Sequence, residues 1–257
     1  MCLNLSNVYE GAIMSSSTNL LPSMWNPIIG CDKYSKGCQN CYAQAIALRL
    51  QKQGIKDYQE GFKIKNLPHR LNIPYTWQKP RKVFVNSMSD LFHKDVPLDY
   101  LKQIFTVMNN CPQHLFQIIT KRAENMLEIS PHLKWTDNIM VGATIEHNDY
   151  RHRLDILKAM PAKYKFLCIE PLIGRLEKLD LRGIDWIVVG GESGPKARPM
   201  DISWVKDIKL WCDEYKVPFW FKQTREYGKT KEPPLLDGKL YQAEPNIKLQ
   251  KTLLDFL

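Results

Sequence analysis

The sequence predicts an α/β fold built on a parallel sheet that curls into a (β/α) barrel, partial or modified relative to the TIM type. Three observations carry that expectation. Short β-rich runs alternate with longer runs of helical periodicity from residue 25 to 223. The strand-like runs are almost wholly apolar, as strands covered on both faces of a parallel sheet must be. Polar residues follow the carboxyl end of nearly every run, and groups from many strand ends converge on one pocket only where the sheet curls, which is how (β/α) barrels build active sites.

Residues 1–24 read as an N-terminal arm containing "SSSTNLLPS". The first strand is expected in "WNPIIG" (25–30), followed by Gly30-Cys31 and a helix in "CYAQAIALRLQKQ". "KVFVNS" (82–87) is the second strand, with Asn86, Ser87, Ser89 and Asp90 beyond it, then a helix in "LDYLKQIFTVMNN". "LFQIIT" (115–120) leads to Thr120, Lys121 and Arg122 and a helix in "RAENMLEIS"; "NIMVGAT" (138–144) leads to Thr144, Glu146 and a helix in "DYRHRLDILKAM". "KFLCIE" (165–170) ends at Glu170-Pro171, and "DWIVVGG" (185–191) at Glu192 and Ser193, before a helix in "DISWVKDIKLWCDEYK". "PFWFKQ" (218–223) closes the series at Lys222 and Gln223. Residues 224–257 form a C-terminal extension whose Asp237-Gly238 pair predicts a two-residue hairpin turn, and which is expected to cover one edge or mouth of the barrel. No repeat or low-complexity linker divides the chain, so 1–257 reads as a single domain.

A chain of 257 residues with 44% hydrophobic character can bury one sizeable core. No apolar run reaches the roughly 18 residues of a membrane span, and the start lacks the pattern of a secretory signal, so a soluble, cytoplasmic protein is expected. Seven cysteines in a chain too long to need staples argue against disulfides in a reducing compartment. Cys2, Cys111, Cys168 and Cys212 are scattered and read as small apolar residues.

Cys31, Cys38 and Cys41 differ, because they fall within eleven residues. A structural zinc site wants four ligands, and the next histidine after Cys41 is the distant His69. A cubane iron–sulfur cluster held by three thiolates leaves one iron open for a substrate or cofactor. Iron–sulfur, zinc and unligated thiols all remain open on spacing alone, with ligand count favouring the first. A metal-dependent hydrolase is disfavoured, since no two of the six histidines sit at helical ligand spacing.

The net charge of +9 favours phosphate-rich partners. Between Gly61 and Ser89 there is no acidic residue, while Lys63, Lys65, Arg70, Lys79, Arg81 and Lys82 alternate with Phe62, Tyr75 and Trp77, a mixture that suits a nucleic-acid strand. The competing expectation is core rings beneath a solvated basic face. A link from the first helix to the second strand should start at the barrel face opposite the site, so the segment must wrap round the side or extend as a track.

A tri-cysteine loop after the first strand of such a barrel resembles the radical S-adenosylmethionine (SAM) superfamily. More closely, "MWNPIIGCDKYSKGCQNCYA", "KPRKVFVNSMSDLFHKDVP", "FQIITKRAENM", "IEPLIG", "DWIVVGGESGPKARPM" and "VPFWFKQ" resemble, in order, an uncharacterised phage-associated radical-SAM-like family, and "LLDGKLYQAEP" fits its end. The resemblance implies that Cys31, Cys38 and Cys41 hold a [4Fe-4S] cluster that chelates SAM and, reduced by a donor such as flavodoxin or ferredoxin, cleaves it to a 5′-deoxyadenosyl radical that abstracts hydrogen from a substrate. Two departures stand out: the first gap is six residues rather than three, and Asn40 precedes the last cysteine where an aromatic is usual, with Tyr42 one place later.

By position, the resemblance implies that Asn86, Ser87, Ser89 and Asp90 meet the methionine amino group, Lys121 or Arg122 the methionine carboxylate, and Thr144 and Glu146 the ribose hydroxyls. Capping explains Asp90, Thr120 and Ser193 equally well. Glu170 and Glu192 are the expected catalytic carboxylates, because a charge after such apolar strands needs a partner or a wet pocket. Arg198 is a candidate anion clamp for SAM or a substrate phosphate. The basic balance favours a nucleic acid as substrate, in modification or repair, with a nucleotide or a peptide left open; the alternative is a zinc- or cluster-stabilised nucleic-acid-binding protein without catalysis.

Overall fold

The computed structural model describes residues 23–224 and 233–247. The N-terminal arm before Ser23, Cys2, and parts of the C-terminal extension (225–232 and 248–257) lie outside the described residues. Seven strands form one parallel sheet: β1 (Ser23–Trp25), β2 (Lys82–Val85), β3 (Leu115–Thr120), β4 (Ile139–Thr144), β5 (Tyr164–Ile169), β6 (Trp186–Gly190) and β7 (Phe219–Gln223). Their order in the sheet is their order in the chain. Since parallel crossovers are right-handed, a strictly sequential order sends every connection to the same face, and the sheet curls into a half-barrel with its other face inside.

Of the five helices, α1 (Tyr42–Lys52) packs with Ile29, Leu67 and Met88 beside the sheet, while α2 (Leu98–Asn109), α3 (Ala123–Ile129), α4 (Arg153–Ala159) and α5 (Ile202–Tyr215) cover its outside. Alternation along the strands separates two apolar layers. Val85, Ile118, Val141, Leu167 and Val189 pack beneath Leu101, Ile104, Met126, Leu157 and Ile208 of the helices. Leu115, Met140, Phe166, Trp186 and Val188 form a second cluster on the concave face. Gly142 serves this layer, since a Cβ there would stand 2.5 Å from the Phe166 ring. No helix among the described residues is long and apolar enough to cross a membrane.

The first strand differs from the expected one. "WNPIIG" is split: Ser23–Trp25 joins the sheet, whereas Ile28–Ile29 turns away and pairs antiparallel with Lys65–Asn66. Pro27 lacks an N–H and cannot continue a ladder, which breaks the strand between the two pieces. This ribbon also corrects the expected path of the basic segment. The chain after α1 climbs back to the carboxyl end of the sheet, where the Cys31 N–H donates to Phe62 O at 3.0 Å, before descending to β2.

In the C-terminal extension, Asp237 and Gly238 both take positive φ (50° and 74°), as a two-residue primed turn requires, between Leu235–Leu236 and Lys239–Leu240. The chain then runs antiparallel beside β7, with Phe221 N–H donating to Tyr241 O and Ala243 N–H to Phe219 O. Trp186 Nε1 donates to Ala243 O at 2.8 Å, and Glu244 pairs with Lys82 at the start of β2. This segment therefore spans the amino-terminal end of the half-barrel from β7 to β2.

Candidate metal centre

Cys31, Cys38 and Cys41 are free, half-buried thiols on one loop at the carboxyl ends of the strands. Gly30 starts the loop at φ +82°, and any Cβ there would lie 1.9 Å from Lys63 O, so only glycine lets the chain pass the ribbon into Cys31. A 3₁₀ turn, Lys36–Cys38, presents the second thiol, and Cys41 is the N-cap of α1.

Carboxylate–arginine pairs, each with at least one buried member, pin this loop between its cysteines. Beside Cys31, Asp32 binds Arg122 and lies 3.1 Å from His93 Nε2. Ahead of Cys38, Ser35 donates to Glu146, whose other oxygen accepts from Arg153 Nη1 at 3.0 Å. Ahead of Cys41, Asn40 Nδ2 donates to Glu192 at 2.9 Å, while Arg198 binds the same carboxylate at 2.6 Å and reaches Lys36 O at 3.0 Å. Glu124 accepts from the Tyr34 hydroxyl at 3.0 Å, and the Arg122 guanidinium covers one face of that ring. An eleven-residue loop whose one regular turn is Lys36–Cys38 is thus held by charge-assisted bonds, which are stronger and more directional than neutral ones.

These contacts assign most of the expected cofactor residues to bracing. Glu146, Glu192, Arg122 and Arg198 are engaged with the loop or with one another. Asp90 ties β2 to β3 by accepting from Thr120 Oγ1 at 2.7 Å and from Lys121 N–H at 3.1 Å. Ser87 donates to Asn26 and Ser89 to Ile28 O, both in the approach to Cys31. Thr144 is buried, and its carbonyl accepts from Arg153.

Other residues near the carboxyl end of the sheet make no side-chain bond to the cysteine loop among the described residues. Asn86 is 3% exposed at φ +60°, and neither atom of its side-chain amide has a partner among the described residues. Lys121 makes no side-chain bond among the described residues; burial opposes its charge, but Glu146 and the thiols of Cys38 and Cys168 outweigh that and raise its pKa. Lys222 binds both oxygens of Glu170, at 3.0 and 2.9 Å. Tyr42 donates to Ser87 O at 2.8 Å. Cys168 lies on the concave face and is pushed up to about 12 by burial and then Glu170. Burial, reinforced by Asp90 and opposed by Arg122, pushes Cys31 to about 12, so a metal binding there displaces a proton.

The expected nucleic-acid residues divide between the two ends. Lys63 and Lys65 flank the loop through the ribbon, whereas Lys79, Arg81 and Lys82 lie at or before the start of β2. Arg70 binds Asp57 at 2.7 Å. Trp77 packs against the core with its ring edge-on to His114 and Arg81 over it, while Tyr75 is exposed and accepts from Asn110. Sequence reasoning missed His93, Ser35, Tyr34, Asn40 and Arg153. His93 Nε2, Cys31 Sγ and an Asp32 oxygen lie within 4.8 Å of one another. Nothing local distinguishes His93, Tyr34, Ser35 and Asn40 from solvated polar residues, since the carboxylates they meet are 61 to 152 positions away in the chain, whereas Arg153 meets Glu146 only seven positions away.

No curated protein and no solved structure matches the chain. The model of DUF5131, a protein family of unknown function, matches residues 16–251 and so takes in the cysteine loop, all seven strands and all five helices: the chain belongs to the DUF5131 family.

Proposed function

We propose that this protein is a cytoplasmic radical-SAM-type enzyme on a modified TIM-type barrel, in which Cys31, Cys38 and Cys41 hold a [4Fe-4S] cluster beside a SAM site. The observation that supports this most is three free thiols on one loop, pinned between successive cysteines at the mouth of a curled parallel sheet. The donor set fits: three thiolates leave a cubane one open iron, and the positive charges of Arg122 and Lys121 suit an anionic centre. Such a group, when bound and reduced by a donor such as flavodoxin or ferredoxin, supplies reductive cleavage of SAM and hydrogen abstraction from the substrate.

The chain's own residues orient the cofactor. Of the two cations expected for the methionine carboxylate, Arg122 is engaged by Asp32, so Lys121 is the better partner. Asn86 offers an unpaired donor and acceptor for the methionine amino and carboxylate groups. Glu192 is committed to Arg198 and Asn40, while Glu170 stays partly exposed beside Lys222, which makes Glu170 the better candidate for moving a proton.

Anaerobic purification followed by iron and sulfide analysis tests this reading, with about four irons per chain expected. Alanine at Cys31, Cys38 or Cys41 abolishes the iron; Cys111→Ala retains it. Reduced enzyme with SAM releases 5′-deoxyadenosine, and Asn86→Ala or Lys121→Ala weakens SAM binding about tenfold at unchanged iron content, the loss of one charge-assisted bond. A protein without iron overturns the proposal.

A second reading has its own observation. The proximity of Cys31, Asp32 and His93 favours a single ion such as zinc, in a nucleic-acid-binding protein without catalysis. It requires Asp32 to release Arg122 and leaves Cys41 and Cys38 without a role. Stoichiometric zinc that is lost in His93→Ala supports it; iron that survives His93→Ala removes it.

A further inference from the structure

We propose that the rim around the cysteine loop is a docking surface for a single-stranded nucleic acid, with phosphates on a ring of lysines and a base stacked on Tyr34. This names the substrate class of the proposed enzyme, and rests on that reading only in placing the chemistry beneath the rim. Five lysines sit in or on the segments that border residues 29–40. Lys33 lies in the loop itself, Lys63 O stands against Gly30, and Lys65 pairs with Ile29. Lys94 follows His93, which faces Asp32, and Lys196 O accepts from Asn40 Nδ2 at 2.9 Å. Among the described residues, Lys33, Lys65, Lys94 and Lys196 have no carboxylate at ion-pair distance, and Lys63 has only the exposed Glu60 at 3.8 Å. The acidic groups of the rim are mostly spoken for: Asp32 by Arg122, Asp149 by Lys36, and Glu124 by Tyr34 and His152, leaving Asp95.

Tyr34 is the independent observation. Tyr34 is 41% exposed, yet it is fixed at the hydroxyl by Glu124 and at the ring by two guanidinium groups, Arg122 at 4.5 Å and Arg153 at 5.7 Å from the centroid. An exposed aromatic held in one orientation, with a cation behind it, is a stacking platform that gives up little entropy when a base lands on it. Stacking needs an unpaired base, which selects a single strand over a duplex.

Fluorescence anisotropy of a labelled single-stranded oligonucleotide, titrated across salt concentrations on the whole chain, tests this. Each phosphate contact on a single strand contributes about 0.7 to the log–log salt slope, so Lys33, Lys65, Lys94 and Lys196 together to Ala flatten it by about three. Tyr34→Ala weakens binding at least about fivefold, and Tyr34→Trp restores it. Lys79 and Lys134, exposed ahead of β2 and β4, serve as the far-end comparison. An equal flattening in Lys79→Ala/Lys134→Ala, binding indifferent to Tyr34, a duplex held as tightly as the strand, or no binding at low salt each overturns the proposal. The anisotropy does not depend on which metal is present, so failure of the iron–sulfur reading leaves these outcomes separate.

Discussion

Glu146 and Arg153 form an ion pair at 3.0 Å in which neither side chain reaches solvent, at 0% and 1% exposure. The pair faces two ways: Arg153 also donates to Thr144 O at the end of β4, and Glu146 accepts from Ser35 in the cysteine loop. A single buried pair therefore connects the sheet to the loop that presents Cys38. Gly37 fits against it so closely that a Cβ would lie 2.9 Å from the Glu146 side chain.

Breaking one side of such a pair strands a buried charge. Arg153→Met is expected to lower stability by about 3–5 kcal/mol, and Glu146→Gln/Arg153→Met together to recover a large part of it. Denaturant unfolding of both variants checks this; a double mutant no better than the single would mean that shape, not charge, governs the site.

Glu192 makes a pH-dependent contribution. Burial raises its pKa, but Arg198 and Asn40 more than offset that and hold it below the usual carboxylate value. A carboxylate with a depressed folded pKa stabilises the fold above its unfolded pKa, and that stability is lost as pH falls through the folded value. At neutral pH Glu192→Gln should therefore cost about 1–3 kcal/mol, and the gap to wild type should narrow as pH falls below about 4. Thermal melts at a series of pH values read this directly; a gap that is constant down to acid pH contradicts it.

Gly30→Ala tests the passage into the loop. The residue needs φ +82°, and the new Cβ would meet backbone, not a flexible side chain. The expected cost exceeds about 2 kcal/mol, with displacement of Cys31 from the ribbon. Melting temperature reports the first effect and metal content the second. An unchanged melting temperature would show that the ribbon can move aside.

Thiol accessibility gives a fourth check. Burial pushes Cys111 up to about 11 and Cys212 and Cys168 up to about 12, so the thiolate that reacts with iodoacetamide is scarce at neutral pH. Mass-spectrometric mapping of the native protein should find these three largely unlabelled, and all six described cysteines labelled after denaturation. Rapid native labelling of Cys168 would show that the concave face opens to reagents more than its burial implies.

Six of the seven strands and all five helices are legible in the chain, because each carries a local signal: continuous apolar runs such as "LFQIIT" and "WIVVG", or 3.6-residue spacing as in "LDYLKQIFTVMN". The three cysteines and the convergence of polar strand ends are legible for the same reason. Only the tertiary structure decides what those ends do. Asp32, Glu146 and Glu192 find Arg122, Arg153 and Arg198, and all three pairings join the loop to residues 90 or more positions away through contacts with Asp32, Ser35 and Asn40. It also decides that β1 is Ser23–Trp25 and that the basic segment returns to the site before descending. Burial and backbone periodicity are properties of neighbouring residues and are written locally, whereas the pairing of a buried charge is set by whichever opposite charge the folded sheet brings within reach.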